Sequence, residues 1–241
     1  MRKMQESTLK KYKLALVGKN ISHSRSEDVY RHLIGQGLER YSRIDCGEAK
    51  EIPTLEEIFL TNDGLSITAP YKQHFLGDVY REDGISNLDA INCIRRKNSR
   101  FEGTNTDYLA LCDLIPDYVE RFSITKIVIF GSGAMAKVTR AVLQKMTGLF
   151  YEFIDRKSYQ GKMSEINFSK DDENNLMIIN ACGREFEFRG RVFADLLFFD
   201  YNYDFRPHAD YLSSQCHYID GSELLKRQGQ YALDFWGIPY S

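Results

Sequence analysis

The chain has 241 residues, 43% hydrophobic and 27% charged, and a formal net charge of −2 at pH 7. This composition is typical of a soluble globular protein with one large domain or two modest ones. The slightly acidic balance argues against nucleic acid and membranes as partners, and no apolar run approaches the roughly 20 residues of a membrane-spanning helix. Five widely spaced cysteines predict neither disulfides nor a zinc or other metal site, so we expect a cytoplasmic protein.

The first residues, MRKMQESTLKKYK, are basic and lack the apolar core of a signal peptide, so we expect a solvated lead-in. Beyond them, hydrophobic patterns predict strands and helices in alternation. The predicted strands are 13–17, 41–44, 65–68, a hairpin of 90–95 and 100–102, 126–130, 150–154, 176–180 and 194–199. The predicted helices are 27–34, 55–60, 108–119, 134–146 and 222–236.

This alternation occurs twice, and a fresh strand–helix–strand unit begins near residue 126, which predicts an α/β protein of two domains. Residues 1–105 with 222–241 form the predicted substrate-binding and catalytic domain. Residues 106–221 form the predicted Rossmann-like dinucleotide-binding domain. We expect a cleft between the two domains, because such clefts are common small-ligand sites.

A glycine-rich sequence, Gly131-Ser132-Gly133-Ala134-Met135-Ala136, follows the predicted strand 126–130 and opens a helix. It fits the pattern G-x-G-x-x-A. In that pattern the first glycine permits a tight turn, the second lets the backbone approach a pyrophosphate, and the helix N-terminus favours phosphate. The sequence therefore predicts dinucleotide binding, and the alternative is an ordinary tight turn between strand and helix.

The next strand ends at Asp155-Arg156-Lys157-Ser158. An acidic residue at this position accepts hydrogen bonds from the ribose of NAD, whereas Arg and Lys bind the 2′-phosphate of NADP. Arg156 and Lys157 favour NADP as the cofactor, whereas Asp155 keeps NAD as an alternative. The alternative interpretation is a solvated charged turn.

Three polar segments of the first domain are candidates for ligand binding. Ser24 and Ser26 lie in a loop where Ser26 could cap a helix or both hydroxyls could bind a carboxylate, while His23 is more often structural. Pro70 suits the first turn of a helix capped by Thr68, which would place Lys72 in that turn, where the helix dipole disfavours a cation. Asn92, inside a β-prone run, needs backbone or ligand partners if it is buried.

Gly103-Thr104-Asn105-Thr106-Asp107 is an unusually polar helix entrance. Such a cluster can cap a helix, bind a polyhydroxylated ligand, or do both. If Asp107 also reaches a lysine, the pair can move a proton. We therefore expect Asp107 and Lys72 to lie within or near hydrogen-bond reach.

The motifs resemble those of the shikimate dehydrogenase family in their order over nearly the whole chain. The motifs are NISHSRS, SITAPYK, AINC, EGTNTD, GSGAMA, IDRK, the Asn180-Ala181-Cys182 turn, the D-x-x-Y of Asp200 to Tyr203, and GSELLKRQ. The resemblance implies NADP-dependent interconversion of shikimate and 3-dehydroshikimate by hydride transfer, in a monomer or homodimer whose partner is the small-molecule substrate.

The resemblance also implies site residues. Lys72 and Asp107 are the expected acid–base pair. The expected substrate contacts are Ser24, Ser26, Thr68, Asn92, Asp107, Tyr203 and Gln228. The expected cofactor contacts are Gly131, Ser132, Gly133, Ala134, Met135, Asp155, Arg156, Lys157, Ser158, Tyr201 and Gly221.

Several positions depart from the family's pattern and leave alternatives open. The departures are Glu27, Ser66, Cys93, Ala110, and Asp155 and Lys157 on either side of Arg156. They allow a dehydrogenase of quinate or another cyclic hydroxy acid that uses NAD. A non-catalytic ligand-sensing protein on the same scaffold is the other alternative, although the presence of both Lys72 and Asp107 argues against it.

Overall fold

The computed structural model describes residues 10–82, 85, 88–170 and 175–240. The chain divides into two compact units, here called unit 1 (residues 1–106 with 228–241) and unit 2 (residues 107–227). Residues 1–9, most of the predicted lead-in, lie outside the described residues. No helix in the described ranges is long and apolar enough to cross a membrane.

Unit 1 is built on a five-stranded mixed sheet of order β2-β1-β3-β4-β5. The strands are β1 (Tyr12–Gly18), β2 (Leu38–Asp45), β3 (Gly64–Ile67), β4 (Cys93–Lys97) and β5 (Arg100–Thr104), and the helices are α1 (Ser26–Ile34) and α2 (Leu55–Phe59). β1 is parallel to β2 and β3, whereas β3–β4 and β4–β5 are antiparallel. The predicted elements of this region are confirmed, except that residues 90–92 precede β4.

The first sheet is buried on both faces, because alternate residues of β1 point to opposite sides. Ala15 and Val17 pack into a cluster with Phe59. Leu14 packs on the other face with Tyr30, in a cluster that also holds Leu233 and Ile238 from the end of the chain. The C-terminal residues therefore complete the core of unit 1.

The helix predicted to begin at Pro70 is wrong. Residues 69–78 form successive turns in which Tyr71 N–H bonds the Thr68 carbonyl at 3.0 Å and His74 N–H bonds the Tyr71 carbonyl at 2.9 Å. The carbonyl of Lys72 accepts the N–H of Ile91 at 2.8 Å, so it is not used in a helical bond four residues ahead. The long-range hydrogen bond from Ile91 therefore takes the place of the local helical hydrogen bond at the Lys72 carbonyl.

Unit 2 is built on a five-stranded sheet whose pairings are all parallel, with the order β10-β9-β8-β6-β7. The strands are β6 (Lys126–Phe130), β7 (Phe150–Ile154), β8 (Leu176–Asn180), β9 (Leu197–Asp200) and β10 (His217–Ile219). The helices are α3 (Thr106–Arg121), α4 (Ala134–Leu143), α5 (Arg206–Leu212) and α6 (Ser222–Trp236). By sequence, α3 starts on the last residue of unit 1 and α6 ends in unit 1.

The strand order of unit 2 confirms the predicted Rossmann-like fold. In doubly wound folds with this strand order, the order reverses between the first strand and the third, and ligands bind outside the carboxyl ends of the strands at that point. Here that point lies between β6 and β8, where Ala181 N–H bonds the Phe130 carbonyl at 2.9 Å. β10 and α5 were not predicted, because β10 has only three partly exposed residues and α5 is short and polar.

Candidate active site

The candidate ligand-binding segments of unit 1 lie at one edge of its sheet. The serine loop follows β1 and the Thr68–Lys72 segment follows β3, which is parallel to β1. Asn92 precedes the antiparallel strand β4, and its carbonyl accepts the N–H of Ile67 at 2.8 Å. Its own N–H bonds the carbonyl of Thr104, the last residue of β5, at 3.0 Å. The sheet register thus gathers segments that are far apart in sequence.

Asn92 is the centre of a buried polar group at this edge. Its side chain is buried, and its Oδ1 accepts the N–H of Thr106 at 2.7 Å and lies 3.2 Å from the Thr106 hydroxyl. The same hydroxyl lies 3.2 Å from Oε1 of Gln228 on α6. Asn92 therefore satisfies the first N–H of α3, a task that a helix cap usually performs locally.

The Nδ2 amide of Asn92 has no protein acceptor within the described residues. Asn105, which sequence reasoning did not assign, is fully buried, and its Nδ2 donates to the Ala90 carbonyl at 2.9 Å. The two asparagines thus differ: Asn105 ties the polar entrance of α3 to the preceding segment, whereas Asn92 keeps a donor that a ligand hydroxyl can accept.

Ser24 and Ser26 place two hydroxyls side by side. The Ser24 hydroxyl donates to Ser26 Oγ at 3.2 Å, and Ser24 Oγ accepts the N–H of Ser26 at 3.4 Å. Ser26 is the first residue of α1, so the interpretation of Ser26 as the helix cap is wrong; its neighbour Arg25 holds that position. Both serines are half-buried and His23 is exposed.

The serine loop packs against the segment that carries Lys72. A Cβ at Gly18 would lie 2.4 Å from the Cγ2 atoms of both Ile21 and Thr68, so no side chain fits there. Glycine at this position brings the two loops together, with Thr68 and Lys72 both half-buried. Their proximity is what a shared carboxylate- and hydroxyl-binding site requires.

Lys72 and Asp107 belong to different units. Lys72 lies in the turn segment of unit 1 and is half-buried. Asp107 is the second residue of α3, and its side chain is buried. The expected approach of Lys72 to Asp107 stays a prediction.

The departures from the family's pattern in unit 1 lie mainly in the packed interior. The Ser66 hydroxyl lies 3.2 Å from the Tyr30 hydroxyl, and Cys93 is fully buried in the same cluster as Tyr30. Ala110, a departure on the part of α3 that belongs to unit 2, is fully buried as well. Glu27 forms ion pairs with Arg31 at 2.8 Å and Arg43 at 3.3 Å. Ser66 and Cys93 are thus engaged in packing.

The glycine loop of unit 2 has the backbone features that phosphate binding needs. Gly131 has φ +116°, and a Cβ there would lie 3.3 Å from the backbone of Ala181, so glycine is required. Gly133 caps α4, and a Cβ there would meet no atom within 4 Å. The first turn of α4 carries no acidic residue. The open space at Gly133 and the helix N-terminus fit a pyrophosphate.

The loop after β7 is shaped by Asp155. Its Oδ1 accepts the N–H groups of Lys157 and Ser158 at 2.8 Å each and the Ser158 hydroxyl at 3.1 Å. These donors, led by the backbone N–H of Ser158, hold the pKa of Asp155 below its usual range. Burial raises the pKa of Cys182 to about 11, and the charge of Arg156 partly opposes that rise.

Tyr201, Tyr203 and Gly221 lie near the carboxyl end of β9. The Tyr201 hydroxyl donates at 2.7 Å to Thr139, whose hydroxyl donates to the Met135 carbonyl at 2.8 Å, in the first turn of α4. Burial raises the pKa of Tyr201, and the charge of Asp107 raises it further. A Cβ at Gly221 would lie 2.3 Å from the Tyr201 carbonyl oxygen. Tyr201 therefore contacts the helix that follows the glycine loop, and Gly221 packs against the backbone of Tyr201.

Sequence reasoning missed a buried network around Asp200. The fully buried carboxylate accepts hydrogen bonds from Asn180 Nδ2 at 2.9 Å, from Asn202 N–H at 2.9 Å and from His208 Nδ1 at 2.5 Å. Nε2 of His208 accepts the N–H of Phe188 at 2.8 Å, which assigns the ring proton to Nδ1. Only the D-x-x-Y pattern marked Asp200 in the sequence, and that pattern indicated no partner for it.

The chain is similar in sequence to known proteins. No family model matches the chain. A shikimate dehydrogenase (NADP(+)) of Saccharolobus solfataricus is 26% identical over 180 residues, a match that covers 69% of this chain. The match spans 65% of that relative's length, just under two thirds.

Solved structures share the fold over almost the whole chain. Shikimate dehydrogenase from Aquifex aeolicus has a TM-score of 0.71 and 19% identity, with 94% of this chain and 92% of that chain covered. The Thermus thermophilus enzyme in complex with NADP(H) and shikimate has a TM-score of 0.68 at 19% identity, with 95% of both chains covered. Quinate dehydrogenase from Corynebacterium glutamicum in complex with NAD has a TM-score of 0.68 at 18% identity, with 96% of both covered.

The fold defines an α/β protein with a Rossmann-like unit, and the glycine loop of that unit follows its first strand. The relatives and the order of the motifs narrow this class further. In sequence and in fold, the chain is similar to shikimate dehydrogenases.

Proposed function

We propose that the protein catalyses the reversible NADP-dependent reduction of 3-dehydroshikimate to shikimate. The observation that carries this proposal is the convergence of the serine loop, the Lys72 segment and Asn92 at one edge of the unit 1 sheet. A ligand at that edge meets hydroxyls, a cation and a free amide donor together. A cyclic acid with several hydroxyl groups matches that combination.

The paired serines are proposed to bind the substrate carboxylate. Their hydroxyls lie 3.2 Å apart and both are half-buried, so two donors face one region. Thr68, Gln228 and the Nδ2 amide of Asn92 are proposed to bind ring hydroxyls. A site built to satisfy hydroxyls rejects analogues that lack them, because its own polar groups would be left unpaired.

Lys72 is the proposed proton carrier. It donates a proton to the oxygen that becomes the C3 hydroxyl during reduction and removes that proton in the reverse direction. Asp107 is proposed to hold the lysine and a neighbouring hydroxyl. Proton transfer by a positioned side chain typically contributes about 10²- to 10⁴-fold to the rate. Tyr203 is proposed as a further substrate contact.

The residues of the glycine loop fit a bound dinucleotide, which supplies the hydride when present. Gly131 to Met135 would hold the pyrophosphate, because Gly133 leaves open space beside the N-terminus of α4. Arg156, Lys157 and Ser158 would hold the adenosine end. Tyr201 and Gly221 would border the same site.

Initial rates with four substrate pairs test the proposal. Shikimate and quinate are each assayed with NADP and with NAD, by absorbance of the reduced nicotinamide. The proposal expects the highest kcat/KM for shikimate with NADP. No turnover of shikimate with either dinucleotide would contradict it.

The nearest alternative is oxidation of quinate with NAD. The structural similarity to a quinate dehydrogenase in complex with NAD supports this alternative. The TM-score of that enzyme equals the TM-score of the Thermus thermophilus enzyme. A higher kcat/KM for quinate with NAD in the same assay would favour this alternative.

A further inference from the structure

Arg140 on α4 presents a cation beside β7, the strand that ends just before Asp155. Its guanidinium lies over the ring of Phe153, 3.8 Å from the ring centroid. Phe153 is the fourth residue of β7 and lies two positions before Asp155, which opens the loop after that strand. Arg140 is exposed, yet the stacking holds its position.

The three cations of this region lack an ion pair among the described residues, although the charge of Lys157 acts on Asp155. Among the residues that the structure describes, Arg140, Arg156 and Lys157 form no ion pair with a carboxylate. Other exposed cations of unit 2 do, as Lys126 with Glu152 at 3.0 Å. Unbalanced positive charge beside a phosphate-binding loop favours an additional anion.

Asp155 does not neutralise these cations by an ion pair, because its Oδ1 is occupied by its own loop. The two N–H groups and the hydroxyl that it accepts come from the next three residues. This arrangement is a turn that fixes the backbone at Lys157 and Ser158. An acid with one oxygen committed in this way is a poorer acceptor for two ribose hydroxyls.

We propose that Arg140 is a specificity-determining residue that binds the 2′-phosphate of the dinucleotide together with Arg156 and Lys157, while Asp155 shapes the loop. This inference rests on the dinucleotide binding proposed above and adds a residue outside the motifs. A phosphate monoester is a doubly charged acceptor, and an Arg fork held by stacking binds it at little entropic cost. NAD, which lacks that phosphate, gains nothing from Arg140.

Binding of NADP and NAD to the full chain, measured by calorimetry, tests the inference independently of turnover. Arg140→Met keeps an alkyl side chain on Phe153 and removes the charge. The Kd for NADP is expected to rise on the order of 10-fold, as for loss of a charge-assisted hydrogen bond, and the Kd for NAD to change less than about twofold. Equal loss for both dinucleotides, or no loss, would overturn the role of Arg140.

Arg121→Met is the matched control, because Arg121 is another exposed arginine of unit 2 over an aromatic ring, that of Phe122 at 5.3 Å. It is expected to leave both Kd values unchanged, and an equal loss of NADP affinity in this control would overturn the inference. Asp155→Asn keeps the oxygen that accepts the loop N–H groups. The Kd for NAD is expected to stay unchanged in Asp155→Asn. A marked rise in that Kd would show that Asp155 binds the ribose and would contradict its role as a loop-shaping residue.

The same measurements separate this inference from the proposed reaction. If the wild-type protein binds NADP but turns over neither shikimate nor quinate, the proposed reaction fails and the role of Arg140 is still decided by the variant. If the wild-type protein binds neither dinucleotide, both are overturned.

Discussion

The two candidate sites are held together in opposite ways. In unit 1, Asn92, Thr106 and Gln228 are joined by side-chain bonds between residues 14 and 122 positions apart. In unit 2, the Asp155 loop is closed by bonds between residues two or three positions apart. The first arrangement depends on the packed sheet, and the second depends on its own sequence.

This difference assigns different tasks to the two regions. Buried, long-range hydrogen bonds fix side chains relative to each other, which suits recognition of a small substrate with several hydroxyls. A local, exposed turn with open space and unpaired cations suits a charged cofactor that enters and leaves. In unit 1, a mutation in the site should therefore change both the free energy of unfolding and substrate binding. In unit 2, a mutation in the site should be able to change one without the other.

The largest effect is expected for Lys72→Ala. Turnover should fall by about 10²- to 10⁴-fold with the Michaelis constant little changed, because the lysine is proposed to move a proton in the transition state. Steady-state rates measure it, with Gln73→Ala, an exposed neighbour in the same turn, as control. Near-normal turnover would remove Lys72 from the mechanism.

Asn92 variants should show the coupling in unit 1. Asn92→Ala leaves the buried Thr106 N–H without its acceptor, at a cost of about 1–3 kcal/mol in the free energy of unfolding. Asn92→Asp keeps that oxygen but loses the Nδ2 donor, so stability should largely hold while the Michaelis constant for shikimate rises. Urea denaturation and steady-state rates measure the two effects. Unchanged substrate binding in Asn92→Asp would exclude the proposed hydroxyl contact.

Two glycines should show the separation in unit 2. Gly131→Ala imposes φ +116° on an alanine, and we expect about 1–3 kcal/mol of lost stability. Gly133→Ala adds a methyl group in open space with φ −73°, so stability should change by less than about 0.5 kcal/mol. Calorimetry should nevertheless show weaker dinucleotide binding in Gly133→Ala, since the methyl group occupies the place proposed for the pyrophosphate. Full binding by this stable variant would contradict that placement.

The smallest effect is a pH dependence of unit 1. Burial raises the pKa of Glu102, but hydrogen bonds from Arg95 and Arg100 outweigh it and hold the pKa below its ordinary value of 4.5. A depressed carboxyl pKa contributes stability that is present above pH 4.5 and lost as the pH falls through the folded-state pKa.

Urea denaturation across pH 3 to 7 measures this contribution, which we expect to be about 1 kcal/mol for these partly exposed partners. Glu102→Gln should flatten the pH dependence. Asp155→Asn serves as a comparison, because the pKa of Asp155 is also held low, but by hydrogen bonds from its own exposed loop. If Glu102→Gln keeps the wild-type slope, the ion-pair network does not contribute.

Most strands and helices could be predicted from the sequence, and the failures were informative. The apolar run of β6 predicts a strand, because its four successive apolar residues after Lys126 need no other context. Pro70 and Thr68 predict a helix by local rules, but the bond from Ile91 to the Lys72 carbonyl overrides them. Ser26 fits a helix cap by local rules, but it is the first residue of α1. Its own N–H donates to the Ser24 hydroxyl oxygen.

Local sequence was enough to specify the alternation of strands and helices, the glycine loop, and a charged turn at Asp155. Each depends on residues a few positions apart, so its physics is visible in the printed order. Packing of the folded chain was needed to establish that Asn92 satisfies Thr106, that Ser66 faces Tyr30, and that Arg140 stacks on Phe153. Those contacts exist because packed sheets and helices bring distant residues within hydrogen-bond or van der Waals distance, and no local pattern encodes which distant residue that is.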